Sequence, residues 1–341
     1  MTWSYFTLYL ITIFMMDNNI SEKLFSESLV SEASFKRIKL AAAAGIVSVF
    51  WEIKLLLYLG VLLLSGGLGI LVYKHINTIG HNVILIFLIL VTAGCFAYCF
   101  RFKKPFSASK VDAPNVFFDY LLLLACLLFL TIIAYLQFQY NFFGNRFGLA
   151  GFVPMTVLFL AAYYFDHIGI LCLAITNLAA WLGITVTPFE ILKENDFNST
   201  AVILTGLVLG VLLILIGLLS NKINFKKHFQ FTYTNFGMHI LFICCIAAMF
   251  QFEQFYFLWF LLQLGIAIYF YIRAKTERSF YFLLVLSLYT YFSLGFVVIR
   301  LLALFNWNDL GPVYLGLIYF IGSGIALVLF LIRSNKKIKN L

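Results

Sequence analysis

The sequence predicts an all-α, polytopic integral membrane protein: a bundle of about ten transmembrane helices, N-in and C-in, preceded by a small cytoplasmic helical hairpin. Three observations carry this prediction. Hydrophobic residues make up 63% of the 341 residues and charged residues only 11%, against about 25% in a soluble domain. The apolar residues gather into ten stretches, most of them near the roughly 20 residues a helix needs to cross about 30 Å of hydrocarbon. With the N-terminus placed inside, all of the 23 Lys and Arg except Lys74, Arg146, Lys193 and Arg300 fall on the inner side. That is the positive-inside pattern, and a wrong span count would scramble it.

The elements follow in order. Met1–Phe14 is apolar, lacks a basic leading region and is too short to span. Met15 and Met16 precede the polar Asp17-Asn18-Asn19, so translation is expected to start at one of them. The alternative is a short membrane-surface anchor. Residues 17–53 read as a cytoplasmic amphipathic segment. Asn19-Ile20-Ser21-Glu22 fits a capping box. Ser31 caps a second helix through Phe35, Ile38 and Ala42, with Lys36, Arg37 and Lys39 on its other sides and Gly45 as its stop. The bundle occupies residues 55–332. Its spans are Leu55–Tyr73, Val83–Phe100, Val116–Leu136, Leu149–Phe165, Ile168–Thr187, Thr200–Leu219, Phe236–Phe250, Phe255–Ile272, Phe280–Ile299 and Pro312–Ile332. A basic cytoplasmic tail, residues 333–341, closes the chain. Helices are required because no backbone group goes unpaired in lipid.

The net charge of +9 sits in short clusters at the ends of apolar runs. It forms no basic stripe, so the expected partner is the lipid bilayer, not nucleic acid. Arg333, Lys336, Lys337 and Lys339 in the tail are expected to contact anionic lipid on the cytoplasmic face. The six cysteines lie within apolar runs without a C-x-x-C pair. They read as small packing residues, although Cys95 and Cys99 share a helix face.

The remaining motifs each have a plain packing explanation. Gly206-x-x-x-Gly210 with Gly217, Ser65-x-x-x-Gly69 and Gly322-x-x-x-Ala326 permit close helix approach, within the bundle or in a dimer. Gln137, Gln139 and Asn141 interleave with aromatics on the outer side, as an interfacial belt or a headgroup vestibule. Asp166-His167 has the composition of an acid/base pair, but a tight inner turn explains it better. Asn198-Ser199-Thr200 fits a glycosylation acceptor but abuts a span. No phosphate-binding loop, nucleophile elbow, zinc motif or dinucleotide fingerprint is present, so no cofactor, metal or catalytic residue is expected.

Polar residues inside spans are the candidate site positions, because their burial is costly. Asn177 and Gln263 lie at mid-depth, and His239 lies just past the cytoplasmic end of the seventh span. No span carries a central Asp, Glu, Lys or Arg, which argues against a proton pump or an ion-coupled carrier. Asn177 and Gln263 fit either a solute site or interhelical hydrogen bonds.

Leu29-Val30-Ser31-Glu32, Leu57-Tyr58-Leu59-Gly60-Val61-Leu62, Gly66-Gly67-Leu68-Gly69-Ile70-Leu71 and the Trp181-Leu182-Gly183 element resemble the predicted bacterial membrane proteins of domain-of-unknown-function family two-one-five-seven. The resemblance runs from about Leu29 to Gly183. The turn after the first span reads Lys74-His75-Ile76-Asn77 and lacks the Trp that the family often carries there. The resemblance implies a bacterial inner-membrane location and no catalytic residues. Two functions are expected from sequence. One is a non-enzymatic scaffold or sensor with a membrane or envelope protein partner. The alternative is a small-solute or lipid transporter of the ten-span inverted-repeat type, given two five-span halves of equal length.

Overall fold

The computed structural model of the protein describes residues 25–26, 31–43, 50–144, 147–186, 200–304 and 311–340. It divides into two compact units, residues 1–64 and 65–341. The expected start-site region, the Asn19–Glu22 capping box, Gly45, Arg146, Lys193 and the glycosylation motif lie outside the described residues.

Eleven helices are described: α1 Glu32–Ala43, α2 Phe50–Ile79, α3 His81–Phe102, α4 Val116–Tyr140, α5 Phe147–Phe165 and α6 Ile168–Val186; then α7 Thr200–Ile223, α8 Gln230–Gln251, α9 Tyr256–Thr276, α10 Phe280–Leu302 and α11 Gly311–Asn340. No strand occurs among the described residues. Eight helices are long and apolar enough to cross a membrane, and two shorter apolar runs, Leu55–Leu71 and Ile168–Gly183, lie in α2 and α6.

In the N-terminal unit, α1 begins immediately after Ser31, as a cap at that position requires, and Glu32 pairs with Lys36 one turn on at 2.9 Å. Phe25 stacks on Phe35 with ring centroids 4.5 Å apart.

Helix ends differ from the sequence expectation at three places. The turn expected at Lys74–Asn77 is helical, and the break falls at Gly80, whose φ of 87° suits glycine. Nothing in Lys74–Thr78 breaks a helix, so α2 continues to the residue that does. Helix α8 starts at Gln230, six residues before the apolar run at Phe236. Its added turns are polar by composition, yet Thr232, Tyr233 and Thr234 are buried. His239 therefore lies in the middle of α8, not just past its end. The tail expected at 333–341 continues α11 through Asn340.

In the C-terminal unit, consecutive helices pack as antiparallel neighbours from α3 to α11, and α6 also touches α4 and α8. One core joins α8, α9 and α10 through Met238, Phe242, Phe270, Phe282 and Leu283. Another joins α3 to α4 through Ile84, Leu88, Leu128 and Ile132.

The tightest approach is between α7 and α8. Gly206 faces Cys244, Gly210 faces Leu241 and Gly237, and Gly217 faces Thr234. This glycine row is thus spent inside the bundle, whereas the positions of Gly69 and Gly322 are open. A Cβ on Gly237 would stand 2.7 Å from the Gly210 carbonyl oxygen, which is backbone and cannot step aside. Gly237→Ala is expected to destabilise the protein by about 1–3 kcal/mol, the usual cost of overpacking. Gly322→Ala should be nearly neutral. Thermal unfolding in mild detergent distinguishes the two; equal melting points would refute this account of the α7–α8 seam.

Candidate functional site at the loop junction

Helices α5, α7 and α9 end alike. Each is followed by a non-glycine residue in the left-handed region: Asp166 (φ 59°), Asn224 (φ 56°) and Arg278 (φ 51°). The next N–H reaches back to a carbonyl of the last turn: His167 to Ala162 at 3.1 Å, Phe225 to Ser220 at 3.2 Å, Ser279 to Ala274 at 2.9 Å. These are Schellman ends, usually built on glycine. At the first of them the side chain that glycine would forgo has a task.

Asp166 is the hub. Its side chain is 2% exposed and pairs with Lys226, itself 1% exposed, at 3.1 Å between Oδ2 and Nζ. The Val111 N–H donates to Oδ2 at 2.5 Å, and His228 Nε2 lies 2.6 Å from Oδ1. With the carboxylate ionised, Nε2 carries the imidazole proton. Lys226 also donates through Nζ to the Ser109 carbonyl at 3.5 Å, and its backbone N–H donates to Ala108 at 2.7 Å. Its ammonium lies 4.9 Å from the centre of the Phe106 ring. Three loops, 103–115, 166–167 and 224–229, are thus fastened to one carboxylate.

The adjoining His167 caps α6: the Ile170 N–H donates to its Nδ1 at 3.2 Å. So Asp166-His167 is a turn, as expected, but its carboxylate pairs with His228 rather than His167.

Beside the hub lies an open basin of about 770 Å³. It is lined by Ser109 and Lys110 from the first loop and by Asn221, Asn224, Lys227 and His228 around the second. Gln230 and Phe231 at the start of α8, and Arg273 and Glu277 at the end of α9, complete it. Lys110 pairs with Asp112 at 2.9 Å. That hydrogen bond holds the Asp112 carboxyl below its ordinary range and raises Lys110.

The expected site residues sit elsewhere. Gln263 is 1% exposed and is closed by α10: its amide donates to the Tyr289 carbonyl at 3.2 Å and accepts from Ser293 at 2.7 Å. His239 Nδ1 and Nε2 lie 2.9 and 3.1 Å from the hydroxyls of Tyr289 and Tyr281, and Tyr281 donates on to Asn235 at 2.9 Å. Gln263 and His239 therefore share Tyr289. Asn177 is half-buried in α6 and does not join this chain of bonds, which runs through α8, α9 and α10. Arg333 and Lys336 are exposed on α11. The side chains of Lys337 and Lys339 lie outside the described residues.

Sequence reading missed Asp166 as a hub and missed Lys226 and His228. A signal existed: three loops assigned to one side each held a charged or titratable residue beside an apolar span.

The fold defines a polytopic helical membrane protein. Its residues 22–171 match the profile of the family described as predicted membrane protein (DUF2157), the family that the sequence resembles. The match takes in Asp166 and the loop 103–115 but stops before Lys226 and His228. No curated protein and no solved structure matches the chain.

Removing one member of a buried ion pair leaves the other uncompensated. Lys226→Met is expected to cost about 3–5 kcal/mol, and Asp166→Asn a similar amount. Combined, they should cost less than their sum, because the double variant strands no charge. Detergent-based unfolding of the four proteins measures the coupling; strict additivity would mean that the pair does not act as a unit.

Proposed function

We propose that the chain is a ten-span, N-in/C-in protein of the bacterial cytoplasmic membrane that acts as a non-catalytic scaffold or sensor for a membrane or envelope protein partner. Eight helices long and apolar enough to span, together with two shorter apolar runs, support the ten stretches read from the sequence. The three loops gathered at Asp166 are ones that the charge pattern assigns to the cytoplasm, so packing and charge support the same alternation.

The observation that carries the scaffold reading is the closure of Gln263. A solute site needs polar groups free to bind, and both amide atoms of this mid-depth side chain are spent on Ser293 and Tyr289. A transporter would instead show water reaching the bundle centre.

Cysteine accessibility tests this. In a background without the six native cysteines, single cysteines replace Asn177, Gln263, Ser109 and Gln254, and an impermeant thiol reagent is added to intact cells and to inverted vesicles. The expected result is no reaction at 177 or 263, reaction at 254 from outside, and reaction at 109 only in inverted vesicles. Reaction at 177 or 263 from either face would replace the scaffold with a transporter. Reaction at 109 in intact cells would reverse the topology.

A further inference from the structure

The hub and the basin differ in how their charges are used. At the hub, the lysine and the carboxylate neutralise each other out of water. The basin is lined by Lys110, Lys227 and Arg273 against one carboxylate of its own, Glu277, with Lys110 paired to Asp112 beside it. Lys227 is exposed at the rim. Arg273 is the informative residue. Its side chain is only 9% exposed, and Nε is held by Glu277 at 2.7 Å. Its Nη1 is buried with no hydrogen-bond partner among the described residues. A guanidinium offers its donors as a planar fork suited to phosphate, and here it belongs to a residue of the basin lining, with Cζ 5.9 Å from the centre of the Phe282 ring. An orphaned charged donor of this kind is costly unless something pairs with it.

Two further features point to the same ligand chemistry. Gln230 and Phe231 open α8 at the basin wall, so the positive end of a long helix lies there, although the Gln230 N–H itself donates to the Lys227 carbonyl. Asn221, Asn224, Gln230 and Ser109 add neutral polar groups. The volume lies within the range of small-ligand sites and exceeds what a bare phosphate needs. His228, fastened from behind by Asp166, forms part of the wall between hub and basin.

We propose that this basin binds a phosphate-bearing anion, a lipid phosphate headgroup or a soluble organic phosphate, with Arg273 and Lys227 as its principal contacts. The proposal deepens the sensor reading by naming the chemistry sensed. It rests on that reading only for the compartment, because binding to purified protein does not depend on topology or on a protein partner.

The test uses the full chain in neutral detergent, titrated with short-chain phosphatidic acid, glycerol 3-phosphate and, as a neutral-headgroup control, short-chain phosphatidylcholine. Binding is followed by thermophoresis. Saturable binding of phosphatidic acid alone would identify a lipid headgroup, and binding of glycerol 3-phosphate as well would identify a soluble phosphate. Lys227→Glu and Arg273→Gln should each weaken that binding by about tenfold or more, the loss expected for a charge-assisted hydrogen bond. Lys74→Glu, an exposed lysine of α2 that the charge pattern assigns to the opposite face, should leave it unchanged. Lys227 is exposed, so its variant stays informative if Arg273→Gln unfolds the protein. The proposal is overturned if neither phosphate ligand saturates, if phosphatidylcholine competes equally, or if Lys74→Glu weakens binding as much as Lys227→Glu.

Discussion

A carboxylate that is almost wholly removed from water demands partners, and Asp166 takes them from two other loops. Lys226 neutralises it, His228 and the Val111 N–H occupy its remaining lone pairs, and none of the three is near it in sequence. Transferring two charges out of water costs several kcal/mol each, which their attraction repays only when the geometry is good and the other polar atoms are satisfied. That condition constrains the whole loop end. Loop 103–115 must present an N–H at Val111. Lys226 must hold a left-handed backbone, φ 49°, which lysine does not readily adopt. The end of α5 must place a carboxylate where helices usually place glycine.

The hub in turn depends on α7 and α8 meeting closely. Lipid provides no hydrophobic drive between helices, so helix association relies on fit and on hydrogen bonds. Gly210 and Gly237 bring the two backbones together. Ser220 then donates to the carbonyls of Phe225 and Lys226 at 2.7 and 3.1 Å, shaping the connection that carries Lys226 and His228. The sequence motif Gly206-x-x-x-Gly210 therefore acts at one remove on the polar junction: it sets the helix pair whose connecting turn completes the site.

The spans were legible because hydropathy and length are local properties. Helices α3 to α7 and α9 to α11 begin or end within about a turn of their apolar runs over most of their boundaries. The start of α8 was not legible, since Thr232 and Thr234 lower the local hydropathy although they are buried. Burial of a threonine is decided by a neighbouring helix, not by its own sequence. Gln263 was legible as a costly mid-depth amide, but its partners were not: one is a serine 30 positions away and the other a backbone carbonyl. The hub was hidden for the same reason. His228 lies 62 positions from Asp166, and no single-sequence pattern ranks that pairing above any other between loops on one side.

The two kinds of charge at this end of the bundle follow from one field. Helices α5, α7 and α9 all end here, so their C-terminal carbonyls make the local backbone potential negative and favour Lys and Arg. Those same cations satisfy the positive-inside bias of the sequence. A cation that meets a buried carboxylate becomes structure, as Lys226 does. A cation that stays at the basin, as Lys227 does, leaves positive potential facing outward. Arg273 is divided between the two: Nε is bound to Glu277, while Nη1 is buried without a hydrogen-bond partner among the described residues. Helix dipoles of the α9 kind would repel an anion, and the start of α8 opposes them on the same wall. The balance of the basin therefore rests on side chains rather than backbone, which is why its test turns on Lys227 and Arg273.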